Sequence, residues 1–119
     1  MAKWSPKTAT REITKIARSK KMTISYFLHA KERLAERNII NSDVLYVLRY
    51  GIVQQDPKSS TREAFNKYLV ESKSPNSENR TIGVVVIPDS KACFLKVVTV
   101  EWMDDRETRA GSIIGEVNE

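Results

Sequence analysis

Hydrophobic positions change period once along this chain, and the change divides it in two. From residue 5 to residue 50 apolar side chains recur at three- and four-residue spacing; beyond Gly51 they alternate or run together. The first half therefore predicts helices and the second half strands. Ser5-Pro6 gives a capping hydroxyl followed by a proline suited to the first helical position. From there a helix is expected to about Ser19. Ala9, Ile13, Ile16 and Ala17 line one side of it, and Lys7, Arg11, Lys15 and Arg18 the other. A second helix is expected from near Leu28, with Thr23 or Ser25 as its cap and Ala30 and Leu34 facing inward behind Phe27. Asn38 to Asn41 interrupts the pattern. Asn41 or Ser42 then caps a third helix, with Asp43 in its first turn, where a carboxylate suits the positive end of the dipole. Val44, Leu45, Val47 and Leu48 form its inner stripe, and Gly51 is placed as the glycine just past its end.

After Gly51, Ile52-Val53 is a short strand at most, and Gln54 to Glu63 reads as a polar loop. Ala64 to Ser72 alternates as a strand, with Phe65, Lys67 and Leu69 on one face and Asn66, Tyr68 and Val70 on the other. Arg80 to Ile87 is rich in β-branched residues and is the strongest strand signal. Pro88 to Lys91 makes a tight connection to a last strand, Ala92 to Trp102. Consecutive strands with short links predict an antiparallel meander. Helices followed by strands predict an α+β fold, with N-terminal helices packed on a twisted antiparallel sheet of three to four strands. Three parts are expected: a basic helix over 1–22, a helix-helix-sheet domain over 23–103, and a loose acidic tail over 104–119.

The 119 residues suit one domain with a modest core, 40% of them hydrophobic. No apolar run approaches the ~20 residues needed to span a bilayer. The first 21 residues lack the apolar segment of a secretory signal. One cysteine, Cys93, leaves no internal disulfide, and the pattern points to the cytoplasm. The net charge of +5 is polarised. Residues 1–21 carry seven basic groups against Glu12, whereas residues 101–119 carry six acids against Arg106 and Arg109. A basic front suggests an anionic partner, nucleic acid above all.

The only histidine, His29, is followed four and eight residues later by Arg33 and Arg37, which stacks all three along one helix face. Near a helix N-terminus the dipole disfavours imidazolium. A neutral imidazole can take a proton from a hydroxyl. Arginines one and two turns away can hold a phosphate. Those are the parts of metal-free RNA cleavage: a base for the 2′-hydroxyl, cations for the phosphorane and an acid for the departing 5′-oxygen. The competing reading makes His29 a capping or core residue and pairs the arginines with Glu32 and Glu36 or with sheet-edge carboxylates. One histidine and one distant cysteine do not make a metal cage, there is no glycine-rich phosphate loop, and no cofactor is expected. Among sheet residues, Arg80, Lys96 and Tyr68 could face a phosphate.

The block His29-Ala30-x-x-Arg33-x-x-x-Arg37-x-Ile39, followed by Ser42-Asp43-Val44 and Val47-Leu48-x-x-Gly51, resembles a family of small bacterial domains of unknown function. These domains are associated with toxin–antitoxin loci and polymorphic toxins. The later strands, GVVVIP and LKVVTVEW, follow that family's pattern of a hydrophobic strand, a turn and a last strand carrying a threonine. The resemblance spans residues 24 to 103. It implies the metal-independent ribonuclease fold of RelE-like toxins, barnase-like enzymes and colicin ribonucleases. His29 would then be the acid/base, Arg33 and Arg37 phosphate ligands or structural pairs, and Thr99 a contributor from the sheet. RNA would be the substrate, and an antitoxin or immunity protein a possible partner. Lys96 and Thr99 fall on opposite faces of an ideal strand, so both can serve one site only across a bulge. The basic helix lies outside the resembling block. With Lys7, Arg11, Lys15 and Arg18 it would serve a second reading, a non-catalytic module holding nucleic acid or an acidic protein for a mobile element, a phage or a toxin–antitoxin locus.

Overall fold

The structure, a computed structural model, describes residues 3–59 and 65–108. Helix α1 spans Pro6–Arg18, and the Ser5 hydroxyl accepts from the Thr8 N–H at 3.3 Å, as a capping serine should. Ala9, Ile13, Ile16 and Ala17 are buried, and Lys7, Arg11, Lys15 and Arg18 are exposed. The 3.6-residue period alone thus settles which side of α1 meets the protein.

The chain then departs from expectation. Thr23 and Ser25 cap nothing: they lie in a strand, β1 (Thr23–Tyr26), which pairs in parallel with the last strand of the sheet. Helix α2 (Leu28–Arg37) follows directly, with Phe27 as its N-cap and no side chain capping its first turn. It stops at Asn38, whose left-handed backbone (φ 54°, ψ 41°) is one that asparagine tolerates. Helix α3 (Asn41–Tyr50) is started by neither Asn41 nor Ser42. Asp43 does that work from the third helical position, one carboxylate oxygen accepting from the Ile40 N–H at 3.1 Å and the other from the Ser74 hydroxyl at 2.7 Å. Val44, Val47 and Leu48 form its buried stripe, with Leu45 partly covered.

Gly51 ends α3 in extended backbone (φ −83°, ψ 178°), not in the left-handed turn expected of it. Glycine is needed there for space. A Cβ would stand 2.5 Å from the Val47 carbonyl oxygen and 2.8 Å from that of Glu71.

The sheet comprises β2 (Ile52–Val53), β3 (Lys58–Ser59), β4 (Asn66–Lys73), β5 (Thr81–Asp89) and β6 (Phe94–Trp102) together with β1. Its order is β1-β6-β5-β4-β2, with β3 pairing beside β2 onto β4. The expected antiparallel meander is β4-β5-β6. The fold is α+β, and β1 makes the sheet mixed. β3 falls within the stretch read as a polar loop, whose residues 60–63 lie outside the described residues.

Tyr68, Val70, Ile82, Val84, Val86, Leu95, Val97 and Val100 face the helices and close the main core with Ile13, Ala30, Val44 and Leu48. Burial of each large aliphatic side chain there contributes about 1.5–3 kcal/mol. Leu69, Val85, Ile87 and Val98 form a smaller cluster on the other face, with Phe27, Phe65 and Met103 against it. The alternation expected in β4 is kept, since Tyr68 and Val70 join one cluster and Leu69 and Phe65 the other.

Part of the stretch read as a loose acidic tail is helical. Helix α4 (Met103–Thr108) follows β6 directly, and Arg80 grips it through a two-pronged pair with Asp104 at 2.8 and 2.7 Å. Residues 109–119 lie outside the described residues.

Candidate active site at the start of the second helix

One irregularity in the sheet decides how the candidate residues assemble. Between β5 and β6 the pairing runs Val84 with Val100 and Val85 with Thr99, then jumps to Val86 with Val97. Val98 is the extra residue of a β-bulge. Before it, Leu95 and Val97 face the helices; after it, Val100 does. Lys96 pairs with Ile87 and Thr99 with Val85, and Ile87 and Val85 both belong to the second cluster. The bulge thus puts Lys96 and Thr99 on one face, which a regular strand forbids.

Lys96 is partly exposed and its ammonium stands 4.9 Å from the centre of the Phe27 ring. Phe27 is the N-cap of α2, and its own N–H donates to the Val97 carbonyl at 3.0 Å. Strand β6 therefore delivers a cation beside the first turn of the helix that carries His29. That turn has no capping side chain, and an open helix N-terminus favours anions. His29 is half-buried at the second position of α2.

The other predicted residues are occupied differently. Arg33 pairs with Glu36 at 2.9 Å and is partly exposed, as the structural reading of this helix anticipated. The Arg37 guanidinium donates to the Val100 carbonyl at 2.6 Å, and the Trp102 indole N–H donates back to the Arg37 carbonyl at 2.8 Å. These two bonds fix the end of α2 along β6. Thr99 is 3% exposed. Arg80 lies over the Trp102 ring, 4.1 Å from its centre, with Asp104 across its fork. That carboxylate raises the Arg80 pKa, and the guanidinium holds Asp104 below its ordinary value. Tyr68 does not face a phosphate site: it is buried on the helix side, with its hydroxyl accepting from the Trp4 N–H at 3.0 Å. Burial raises its pKa, and that of Tyr26 as well.

The basic stripe of α1 sits on another element, α1 itself. Arg18 at its end has two local contacts, with the Arg49 carbonyl and with the Tyr50 ring.

Residues 26–102 match DUF4258, described as a domain of unknown function. The chain belongs to the DUF4258 family. No curated protein and no solved structure matches it. The DUF4258 match begins at Tyr26 and ends at Trp102, so it takes in His29, the bulge and Lys96 but leaves α1 outside. Among the described residues there is no cluster of three or more histidines, cysteines and carboxylates suited to a metal ion, and no helix is long and apolar enough to cross a membrane.

Phe27 is the member of the candidate site that sequence patterning missed. It reads as one more inward apolar residue, and only the pairing of β1 with β6 reveals that it carries Lys96 against the helix start.

Proposed function

We propose that this chain is a metal-independent, ribonuclease-like domain whose site is the first turn of α2. The observation that carries the reading is the position of Lys96, 4.9 Å from the ring of Phe27, the residue that opens the helix bearing His29. A phosphodiester seated on that turn would meet the helix's open N–H groups, the positive end of its dipole and the Lys96 ammonium. His29, in the same turn, takes the proton of the adjacent 2′-hydroxyl. The 2′-oxygen then attacks phosphorus, the P–O5′ bond breaks, and the 5′-oxygen leaves with the proton handed on by the His29 imidazolium, so the products end in a 2′,3′-cyclic phosphate and a 5′-hydroxyl. DNA lacks the attacking group and is spared. Arg33 lies one turn further along the same face and stabilises the phosphorane if it releases Glu36. Arg37 and Thr99 support the site rather than act in it, because one anchors α2 and the other is buried. A domain of this kind suits the toxin of a toxin–antitoxin pair, with an antitoxin or immunity protein covering the site.

The test is RNA integrity. Purified protein is incubated with mixed structured and single-stranded RNA in excess chelator, beside folded His29→Ala and Lys96→Ala variants. Cleavage by the wild type, with 2′,3′-cyclic phosphate ends, and a loss of about 10²- to 10⁴-fold in His29→Ala are expected. Intact RNA in the wild-type tube overturns the reading and leaves a binding module. The exposed Lys7, Arg11 and Lys15 of α1, an element outside the family match, favour that second reading.

A further inference from the structure

The carboxyl ends of α1 and α3 are clipped together by two arginines. The Arg18 Nε donates to the Arg49 carbonyl at 3.1 Å, and the Arg49 Nε donates to the Ala17 carbonyl at 3.1 Å. Each guanidinium thus satisfies a carbonyl near the end of the other helix, and each places positive charge at a negative dipole end. The clip also orients Arg18: its Cζ stands 4.7 Å from the centre of the Tyr50 ring. Tyr50 in turn lies 4.7 Å from Tyr46, one helical turn back, with the rings inclined by 42°. A guanidinium and two phenols therefore adjoin one another at the surface, and Tyr50 is 58% exposed. Neither ring belongs to the main or the smaller core cluster, so core packing does not account for the pair.

The same site receives the basic ladder. Lys7, Arg11, Lys15 and Arg18 follow one another up the outer face of α1, over a rise of about 16 Å. Lys20 and Lys21 are also exposed just beyond. Glu12 is the one acid within the first 21 residues, and it faces Arg11 at 3.6 Å. A row of cations tracks a phosphate backbone, whereas π-faces at its end receive bases. An acidic protein would use the cations but has no need of the rings.

We infer that Arg18, Tyr46 and Tyr50 form a base-stacking platform for single-stranded RNA, whose backbone runs along Lys7, Arg11 and Lys15. The platform lies outside the His29 turn. It shares with the ribonuclease reading the premise that RNA is the partner, and it does not depend on cleavage. Binding there would hold a single strand on the enzyme while another part of the chain reaches the scissile position.

The experiment measures fluorescence anisotropy of a labelled 2′-O-methyl oligouridine, which has no free 2′-hydroxyl and so cannot be cut. The full chain is titrated as wild type, Tyr50→Ala, Tyr50→Phe and a Lys7/Arg11/Lys15→Gln triple variant. Wild type and Tyr50→Phe bind alike. Tyr50→Ala binds about tenfold more weakly, the loss expected of one stacked base. The triple variant flattens the dependence of log affinity on log salt by about 2, the share of three lost single-strand phosphate contacts. Equal affinity of Tyr50→Ala and wild type overturns the platform, as does absence of wild-type binding at low salt. Displacement of the oligonucleotide by poly-glutamate with no dependence on Tyr50 overturns it in favour of an acidic protein. Tyr50-dependent binding here, together with cleavage of unmodified RNA that His29→Ala loses, supports both readings. Absence of cleavage in the wild type with Tyr50-dependent binding ends the ribonuclease reading alone.

Discussion

Arg37 and Trp102 exchange roles across the junction of α2 and β6: the arginine donates to the strand at Val100, and the tryptophan donates to the helix at the Arg37 carbonyl. Strand β1 pairs with β6 only as far as Val97, so the edge of β6 beyond it needs another cover. Helix α2 supplies that cover and Arg37 fastens it. Arg37→Ala is expected to lower the unfolding free energy by about 1–3 kcal/mol, because the Val100 carbonyl loses a charge-assisted donor. Urea denaturation followed by circular dichroism measures it. Loss of function in this variant should accompany loss of stability. An Arg37→Ala protein as stable as wild type but inactive would return Arg37 to the chemistry.

Much of this arrangement was legible in the sequence, and the rest hid for identifiable reasons. The buried stripes of α1 and α3 follow from local periodicity, which reports burial within one element. The α+β order follows from the change of period at Gly51. Strand β1 was not legible because four residues, Thr23–Tyr26, gain their partners some seventy residues away. A bulge was legible only as the condition for Lys96 and Thr99 to share a face, and its place was hidden because Val97 and Val98 are both valines and both buried, one on each face. His29 stands out as the only histidine, but the bond from Arg37 to Val100 does not, since a backbone carbonyl has no side-chain signature. Helix α4 hid within an acid-rich stretch because what holds it is Arg80, the residue just before β5.

Gly51 gives a sharper test of space against backbone freedom. Its φ of −83° is open to any residue, so a left-handed requirement would be absent and Gly51→Ala harmless on conformational grounds. The contacts say otherwise, since a Cβ would stand 2.5 Å from the Val47 oxygen of α3 and 2.8 Å from the Glu71 oxygen of β4, so the helix end and the strand must part. Gly51→Ala should destabilise by about 1–3 kcal/mol, as overpacked sites do. A midpoint of thermal unfolding equal to wild type would contradict this.

Lys96 separates charge from packing. Its stem and ammonium approach Phe27, so Lys96→Met keeps an unbranched side chain of similar length there and removes the cation. Stability should stay within about 0.5 kcal/mol, the usual range for surface changes. On the proposed mechanism the cleavage rate falls, and Lys96→Arg restores part of it by returning the charge. Cleavage unchanged in Lys96→Met would remove Lys96 from the site while leaving His29 in it.

Tyr68 carries a pH dependence whose sign is fixed by its surroundings. Burial raises its pKa, and the opposing bonds with the Trp4 N–H and the Asn66 side chain do not undo that. A phenol that holds its proton more tightly when folded contributes stability that is whole below its unfolded value of 10.0 and is lost as pH rises through the folded value. Tyr26, raised by burial as well, acts in the same window. Stability should therefore hold steady from pH 8 to about 10 and decline above it. Tyr68→Phe leaves the Trp4 N–H without its acceptor and should cost about 1 kcal/mol at neutral pH. The same change removes the phenol, so the decline above pH 10 becomes shallower, with Tyr26 still contributing. Urea midpoints of both proteins between pH 7 and 11.5 show whether the two curves converge as the pH rises; curves that stay parallel would place the titrating group elsewhere.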